Sequence, residues 1–177
     1  MKKITITQIS EKKIKAGNPL LQMEDFPNEL SFDEGELVEL VDSRQKFVAK
    51  AYLAKQNKGV GWVFSLDNAD SFNEAFFKKQ FEKAKRKRTD LQSDPETTTY
   101  RLFNAEGDGI PGVTIDHYDG FAVVSWYSEG IFRYQTAIIA AFQAVFPETK
   151  GIYEKFRYQR KDGLISRYVR GDAAPTP

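Results

Sequence analysis

The stretch that decides the fold of the second half runs from Tyr100 to Tyr118 and reads YRLFNAEGDGIPGVTIDHY. Three glycines and one proline fall within the six residues 107–112. This composition favours a tight loop, because glycine adopts backbone angles that other residues avoid and proline fixes its own. The residues on either side read as strands. The stretch therefore predicts two strands, Thr99–Asn104 and Val113–Tyr118, joined by a tight loop.

Downstream of this pair, the pattern continues as one more strand, a helix and a final strand. Phe121–Tyr127 follows the short turn Asp119-Gly120, which is typical of hairpins. Apolar residues at helical spacing then predict a helix from about 131 to 146 that stops before Pro147. Gly151–Phe156 reads as the last strand. The order predicts a small α/β domain, and the residues after it, 166–177, read as a linker or tail.

Upstream of the decisive stretch, residues 73–92 predict a helix. Phe77, Phe81, Ala84 and Leu91 fall on one stripe, and Ser93-Asp94-Pro95 ends the pattern. Its second half carries a dense group of cations: Lys83, Lys85, Arg86, Lys87 and Arg88. This group either binds phosphate or forms a solvated helix surface, and electrostatics alone does not decide between the two.

The first 70 residues read as short strands with turns between them. The strand candidates are 4–7, 37–41, 47–53 and 61–66. A short basic helix is predicted over Glu11–Lys15, with Ser10 as its N-cap. Short, closely spaced strands of this kind predict a small β-barrel. The fold class predicted for the whole chain is therefore α+β, with a small barrel domain followed by the α/β domain.

Composition narrows the function classes. The 177 residues are 41% hydrophobic and contain no cysteine, which excludes disulfides and thiolate metal sites within them. The sequence has no apolar run long enough for a membrane span and none that suits a signal peptide, so we expect a cytoplasmic protein without a membrane partner. The net charge of +1 hides segregation, since 24–42 holds eight acidic residues and no basic one.

Candidate catalytic groups are sparse. Glu106, Asp108 and the single histidine, His117, suit a small hydrolase if they converge, but carboxylates in a glycine-rich turn more often hold the turn. The loop is not followed by the residues that complete a phosphate-binding loop, and the sequence shows no metal-ligand cluster. We therefore predict no catalytic, cofactor-binding or metal-binding residue within this chain.

Residues 101–118, with Glu106, Asp108, Pro111, Gly112 and Asp116 at matching positions, resemble a characteristic segment of the ribosomal RNA large-subunit methyltransferase I family. The stretches 15–19 and 34–42 and the helix from Phe76 to Arg88 are similar to other segments of that family. The chain departs from the family pattern at Asn18, where histidine is usual, at Leu20-Leu21 and at 61–65.

The resemblance implies an N-terminal PUA domain over residues 1–70, which binds RNA. It further implies a central α/β domain over residues 71–165, in an S-adenosylmethionine-dependent enzyme that makes 5-methylcytosine. It also implies that the Rossmann methyltransferase domain is absent from this chain. The function predicted is RNA binding and substrate positioning, with ribosomal RNA as partner. The RNA-binding residues predicted are Lys15, Asn18, Lys83, Lys85, Arg86, Lys87, Arg88 and Arg101. A protein-interaction module, such as a homodimer built on the acidic stretch 24–42, and the small hydrolase remain the alternatives.

Overall fold

The computed structural model describes residues 1–175, which form two compact units. The first unit contains Met1–Phe72 together with Ser128–Tyr134. The second contains Asn73–Tyr127 and the described residues from Gln135 onward. The sequence predicted domains over 1–70 and 71–165, and did not anticipate that a later segment belongs to the first unit. Among residues 1–175, no helix is long and apolar enough to cross a membrane.

The first unit is built on a five-stranded sheet. Its strands are β1 (Lys2–Thr5), β2 (Leu20–Leu21), β3 (Leu37–Val41), β4 (Phe47–Leu53) and β5 (Gly61–Ser65). Their order is β1-β3-β4-β5-β2, with β1 parallel to β3 and the other neighbours antiparallel.

The predicted small barrel was wrong. Within the described residues, β1 and β2 lie at opposite edges of the sheet and do not pair, so the sheet is open and mixed. Closing a barrel requires edge strands that can pair along their length. Here one edge strand, β2, has only two residues, and strand spacing in the sequence could not show this.

Helix α1 spans Gln8–Lys15 and begins earlier than predicted. Its N-cap is Thr7, whose Oγ1 accepts a hydrogen bond from the Ser10 amide at 3.2 Å. The Ser10 hydroxyl instead donates to the buried Asp25 carboxylate at 2.6 Å. Asp25 also accepts from Lys13 Nζ at 2.5 Å. The hydroxyl expected to cap the helix is therefore used to hold α1 against residues 23–25.

The two faces of the first sheet bury different side chains. Ile14 of α1 packs with one face, in an aliphatic core formed mainly by Leu21, Val38, Leu40, Ala49, Ala51, Leu53 and Val63. On the other face, Phe72 contacts Tyr52, Phe64 and Tyr134 with ring centroids 5.5, 4.4 and 4.9 Å away. Alternation along the strands separates the two sets.

The segment 128–134 supplies part of that aromatic cluster. Helix α4 (Glu129–Phe132) is capped by the Ser128 hydroxyl, which accepts from the Ile131 amide at 3.3 Å. Tyr134 then donates its hydroxyl to the carbonyl of Gly35 at 2.5 Å. The single helix predicted over 131–146 is therefore two helices, because the chain between them leaves the helical path to place Tyr134 on the first sheet.

The second unit is a five-stranded sheet with helices. Helices α2 (Glu74–Lys87) and α3 (Thr89–Ser93) come first, and α5 (Gln135–Val145) comes later. The strands are β6 (Thr99–Asn104), β7 (Val113–Tyr118), β8 (Phe121–Trp126), β9 (Gly151–Phe156) and β10 (Ser166–Gly171). They lie in the order β10-β9-β8-β7-β6, and only the neighbours β8 and β9 are parallel.

Residues 166–171, which the sequence analysis assigned to a linker or tail, form strand β10. Arg167 of this strand donates from Nε to Glu154 Oε2 at 2.6 Å, and Glu154 is fully buried in β9. The indole of Trp126 donates to the other carboxylate oxygen of Glu154 at 3.1 Å. A buried carboxylate needs such partners, so this pair ties β10 to the sheet. Thr176 and Pro177, which were assigned to the same tail, lie outside the described residues.

Phe72→Ala should lower the free energy of unfolding by about 3–5 kcal/mol, because it empties the centre of the aromatic cluster. Chemical denaturation followed by circular dichroism measures this change. The matched control is Leu66→Ala, whose side chain is 54% exposed and should cost less than about 0.5 kcal/mol. Equal losses in the two variants would show that the cluster does not stabilise the first unit.

Candidate nucleic-acid interface

The glycine-rich loop 105–112 is held by the carboxylate of Asp108. This side chain is buried and accepts three hydrogen bonds: from Arg88 Nη2 at 2.6 Å, from the Asn104 amide at 2.7 Å and from Lys87 Nζ at 3.2 Å. Burial opposes ionisation of the carboxyl group, but the bonds and charge of Arg88 and the Asn104 amide outweigh it. The pKa of Asp108 therefore lies below its ordinary value of 3.8.

Arg88 completes this arrangement at the end of α2. Its Nε donates to the carbonyl of Arg101 at 2.7 Å, and its Nη1 donates to the carbonyl of Ala84 at 3.2 Å. Only 14% of its side chain is exposed. The predicted helix over 73–92 is interrupted at this residue, where α2 ends and α3 begins. Arg88, predicted to bind RNA, instead joins α2 to β6 and to loop 105–112.

Two more of the predicted RNA-binding residues have partners within the second unit. Lys85 donates to the carbonyl of Val145, near the end of α5, at 2.8 Å and lies 5.0 Å from the centre of the Phe146 ring. Arg101 makes a two-pronged pair with Asp116, at 2.8 and 3.1 Å. These cations are occupied by the protein's own acceptors, and the sequence could not distinguish them from free ones.

Four cations of α2 are exposed and have no partner among residues 1–175: Lys78, Lys79, Lys83 and Arg86. Three of them, Lys79, Lys83 and Arg86, form what we call the α2 basic stripe. Their spacing of four and three residues places them on one side of the helix, and all three are exposed. Among residues 1–175 they take part in no ion pair. Lys83 and Arg86 were among the predicted RNA-binding residues but Lys79 was not, although its helical spacing from Lys83 was a sufficient signal.

Lys15 and Asn18 lie in the first unit, near the end of α1. Lys15 is exposed and pairs with Glu11 at 2.5 Å. The Asn18 side chain is exposed, and its Oδ1 accepts from the Leu20 amide at 3.1 Å. Lys15 therefore keeps an accessible charge, whereas Asn18 shapes the turn that leads into β2.

The three groups considered for hydrolysis do not meet, and Glu106 of loop 105–112 is exposed whereas Asp108 is buried. Asp108 is enclosed in the loop at one end of the β6–β7 hairpin, next to Asn104, which is paired with Thr114. His117 lies near the other end, where it is paired with Tyr100 and stacks on its ring at 4.9 Å between centroids. Its Nε2 accepts a hydrogen bond from the Gly120 amide at 3.1 Å. Burial disfavours the charged imidazolium and lowers the pKa of His117.

Loop 105–112 does not fit a nucleotide-like cofactor. It leads from a strand into another strand, whereas cofactor loops of this type open a helix. A Cβ at Gly109 would lie 2.7 Å from Gln80 Oε1, so the α2 side chain fills the space a ligand would need. Elsewhere in residues 1–175, no group of three or more His, Asp or Glu side chains is arranged to hold a metal.

Comparison with known proteins gives this geometry a context. Residues 4–66 match a family model described as a PUA-like domain. The chain is 40% identical over 174 residues to YwbD of Bacillus subtilis, a candidate ribosomal RNA large subunit methyltransferase, covering 97% of this chain and 43% of that protein. It is 32% identical over 145 residues to ribosomal RNA large subunit methyltransferase I of Cronobacter sakazakii, covering 80% of this chain and 36% of that protein.

A solved structure shows the same likeness. The chain superposes on a candidate SAM-dependent methyltransferase from Streptococcus mutans with a TM-score of 0.90 and 40% identity, over 99% of this chain and 44% of that one. A second structure, SMU.776 complexed with SAH, gives a TM-score of 0.91. The chain belongs to the ribosomal RNA large-subunit methyltransferase I family. The resemblance found in the sequence is thus confirmed.

The chain spans less than half the length of these methyltransferase I relatives. The prediction that a Rossmann methyltransferase domain is absent was wrong, since the likeness covers 99% of the chain and is to SAM-dependent methyltransferases. That prediction rested on the absence of a glycine-rich cofactor-binding motif from these 177 residues. Such an absence says nothing about the part of the relatives that this chain does not cover.

Asp108→Asn should lower the free energy of unfolding at pH 7 by about 2–4 kcal/mol, because it leaves Arg88 without its charged partner. A depressed pKa stabilises the fold above the ordinary value of 3.8, and this contribution is lost as the pH falls through the folded pKa. The difference between wild type and variant should therefore shrink below about pH 4. Denaturant titrations at several pH values measure it, and a difference that is constant with pH would contradict this account of Asp108.

His117→Phe should remove a pH dependence of stability near neutrality. Since the pKa of His117 is lowered on folding from 6.5, the unfolded chain binds the proton more readily and wild type should lose stability as the pH drops below about 6.5. Phenylalanine keeps a ring against Tyr100 but does not titrate. Because the sequence has one histidine, comparison of the two proteins at pH 7.5 and 5.5 isolates its effect. Parallel pH profiles would contradict the assignment.

Proposed function

We propose that this chain binds ribosomal RNA and positions it for cytosine-5 methylation. It would be the substrate-positioning part of a methyltransferase like its longer relatives. The observation that carries the proposal is the α2 basic stripe, whose three cations have no acidic partner within residues 1–175. Membership in the methyltransferase I family and the PUA-like match over residues 4–66 support it.

Electrostatics gives the reason for an anionic partner. Side chains three and four residues apart on a helix lie about 5–6 Å apart at Cβ, so like charges there repel. Three neighbouring cations have internal partners: Lys85 contacts Val145, and Lys87 and Arg88 contact Asp108. Lys79, Lys83 and Arg86 have none, and the one acid among them, Glu82, makes no ion pair with them in the described structure. A polyphosphate backbone would relieve this repulsion and release its counterions.

The described residues have a binding role in this proposal and not a chemical one. S-adenosylmethionine would supply the methyl group, as the SAH-bound relative suggests for that protein. Loop 105–112 does not fit it, so we assign no cofactor contact to this chain. Its residues would hold and orient the RNA. A cytoplasmic location would follow from a ribosomal RNA substrate, and it stays a prediction.

The alternative interaction module has less support. The acidic stretch 24–42 is largely used within the first unit, since Asp25 is buried against Lys13. Lys2 and Lys3 lie 3.7 and 3.6 Å from the carboxylates of Glu36 and Glu39. These acids are therefore poor candidates for a dimer surface, and a homodimer stays a prediction without a specific contact to support it.

Replacing both Lys83 and Arg86 with Gln should weaken binding to structured ribosomal RNA and lower the salt slope of log K by about 1.5 to 2, because two phosphate contacts are lost. Fluorescence anisotropy at several salt concentrations measures both quantities.

The matched control for this experiment is Lys2→Gln with Lys3→Gln, which changes the net charge equally but removes cations that already pair with Glu36 and Glu39. Its salt slope should stay near that of wild type. If both double variants change binding alike, total charge rather than the α2 basic stripe governs affinity. If RNA does not bind to wild type at all, the proposed function is wrong.

A further inference from the structure

The sheet of the second unit has one face that its helices do not cover. On the covered face, Phe81 of α2 contacts Phe103 of β6 and Phe142 of α5, with ring centroids 4.8 and 5.6 Å away. Side chains alternate between the faces of a strand. In β9, Ile152 and Glu154 are buried toward the helices, so Tyr153 and Lys155 point to the opposite face.

The strand register extends that second face across the sheet. Tyr153 lies opposite Tyr168 of β10, and Lys155 lies opposite Ser166. Tyr118 of β7 shares this face, because it alternates with the buried Val113 and Ile115 that face the helices. Tyr118 is 45% and Tyr168 49% exposed. Thr114 and Ser125 on the same face are buried, so the accessible part consists of the β9–β10 side and the end of β7. We call Tyr118, Tyr153, Lys155 and Tyr168 the sheet platform.

Two rings of the platform are held in place. Tyr168 donates its hydroxyl to the carbonyl of Gly171, and the Tyr153 hydroxyl accepts from the Ala174 amide at 2.7 Å. The two rings meet edge to face, with centroids 5.5 Å apart. An exposed aromatic ring fixed by its hydroxyl loses little entropy when a flat group stacks on it.

The positive charge of the sheet platform favours an anionic partner. Lys155 is exposed and makes no ion pair among residues 1–175. Asp116 also lies on this face, opposite Val123 in the sheet, but its charge is neutralised by the two-pronged pair with Arg101. Exposed aromatic rings next to an unpaired cation suit a chain of bases and phosphates. An acidic protein would match the cation but not the flat, exposed rings.

We propose that the sheet platform stacks unpaired bases of single-stranded RNA, separately from the electrostatic contact of the α2 basic stripe. The inference rests on the proposed function, since it assumes an RNA partner. It adds that the substrate presents unpaired nucleotides. Bases inside a duplex are stacked on each other and cannot reach tyrosine rings on a sheet, so a loop or an opened strand is the form recognised.

The test uses the chain of residues 1–177 with two fluorescein-labelled probes: a ten-nucleotide RNA that cannot pair with itself, and a duplex of the same length. Tyr168→Ala and Tyr118→Ala should each weaken binding of the single strand by about 5- to 100-fold, which is the range for loss of one stacked base. Binding of the duplex should change less than twofold. Tyr168→Phe keeps the ring and should restore most of the affinity. Ile165→Ala removes a 77% exposed apolar side chain from the same hairpin and serves as the control.

Circular dichroism identifies any variant that does not fold. Because Tyr118 and Tyr168 lie on different strands, one folded variant of the two is enough for the test. The platform is refuted if folded tyrosine variants bind the single strand as wild type does while the Lys83 and Arg86 variant weakens duplex binding. In that case the proposed function stands. If wild type binds neither probe, both proposals fail. Loss in the tyrosine variants with a salt slope unchanged from wild type supports stacking rather than charge.

Discussion

The buried carboxylate of Asp108 connects the end of α2, strand β6 and loop 105–112 through Arg88 and the Asn104 amide. A buried carboxylate is costly unless it is paired and hydrogen-bonded, and here it is both. The pair fixes where α2 ends, because the Arg88 guanidinium must turn back toward the loop. Together with the packing of Phe81 against Phe103 and Phe142, this contact holds the helix against the sheet and so orients its remaining cations.

The same contact divides the basic residues of α2 into two groups. Lys85, Lys87 and Arg88 serve as internal partners, whereas Lys78, Lys79, Lys83 and Arg86 face solvent. A cluster that reads as one basic patch in the sequence is thus partly structural and partly available. The second group can bind RNA while every cation of the first group keeps its internal partner. This division also explains why a chain of net charge +1 can still present a local positive surface.

Much of the fold could be predicted, and the failures have physical causes. Alternation and turn residues located β3, β4, β6, β7 and β9 with their observed bounds. The open first sheet could not be foreseen, because it depends on how strands pair over long separations. Nor could the break between α4 and α5, which follows from the contact of Tyr134 with Gly35. In the candidate site, the run of cations predicted Lys83 and Arg86 as RNA-binding residues, and this stays a prediction. Only side-chain contacts reveal that Arg88 and Arg101 have internal partners. The sequence did not predict the sheet platform, because its tyrosines lie on separate strands and only the strand register brings them to one face.

The most direct test of the central claim is an NMR titration of the ¹⁵N-labelled chain with a structured ribosomal RNA fragment. We expect the largest amide shift changes at residues 78–86, on the solvent side of α2. The Asn104 amide should change little because its bond to Asp108 persists, and so should the amides of loop 105–112, where Asp108, Gly109 and Ile110 donate to the carbonyl of Ala105. Changes centred on loop 105–112 or on residues 24–42, with α2 unaffected, would contradict the account.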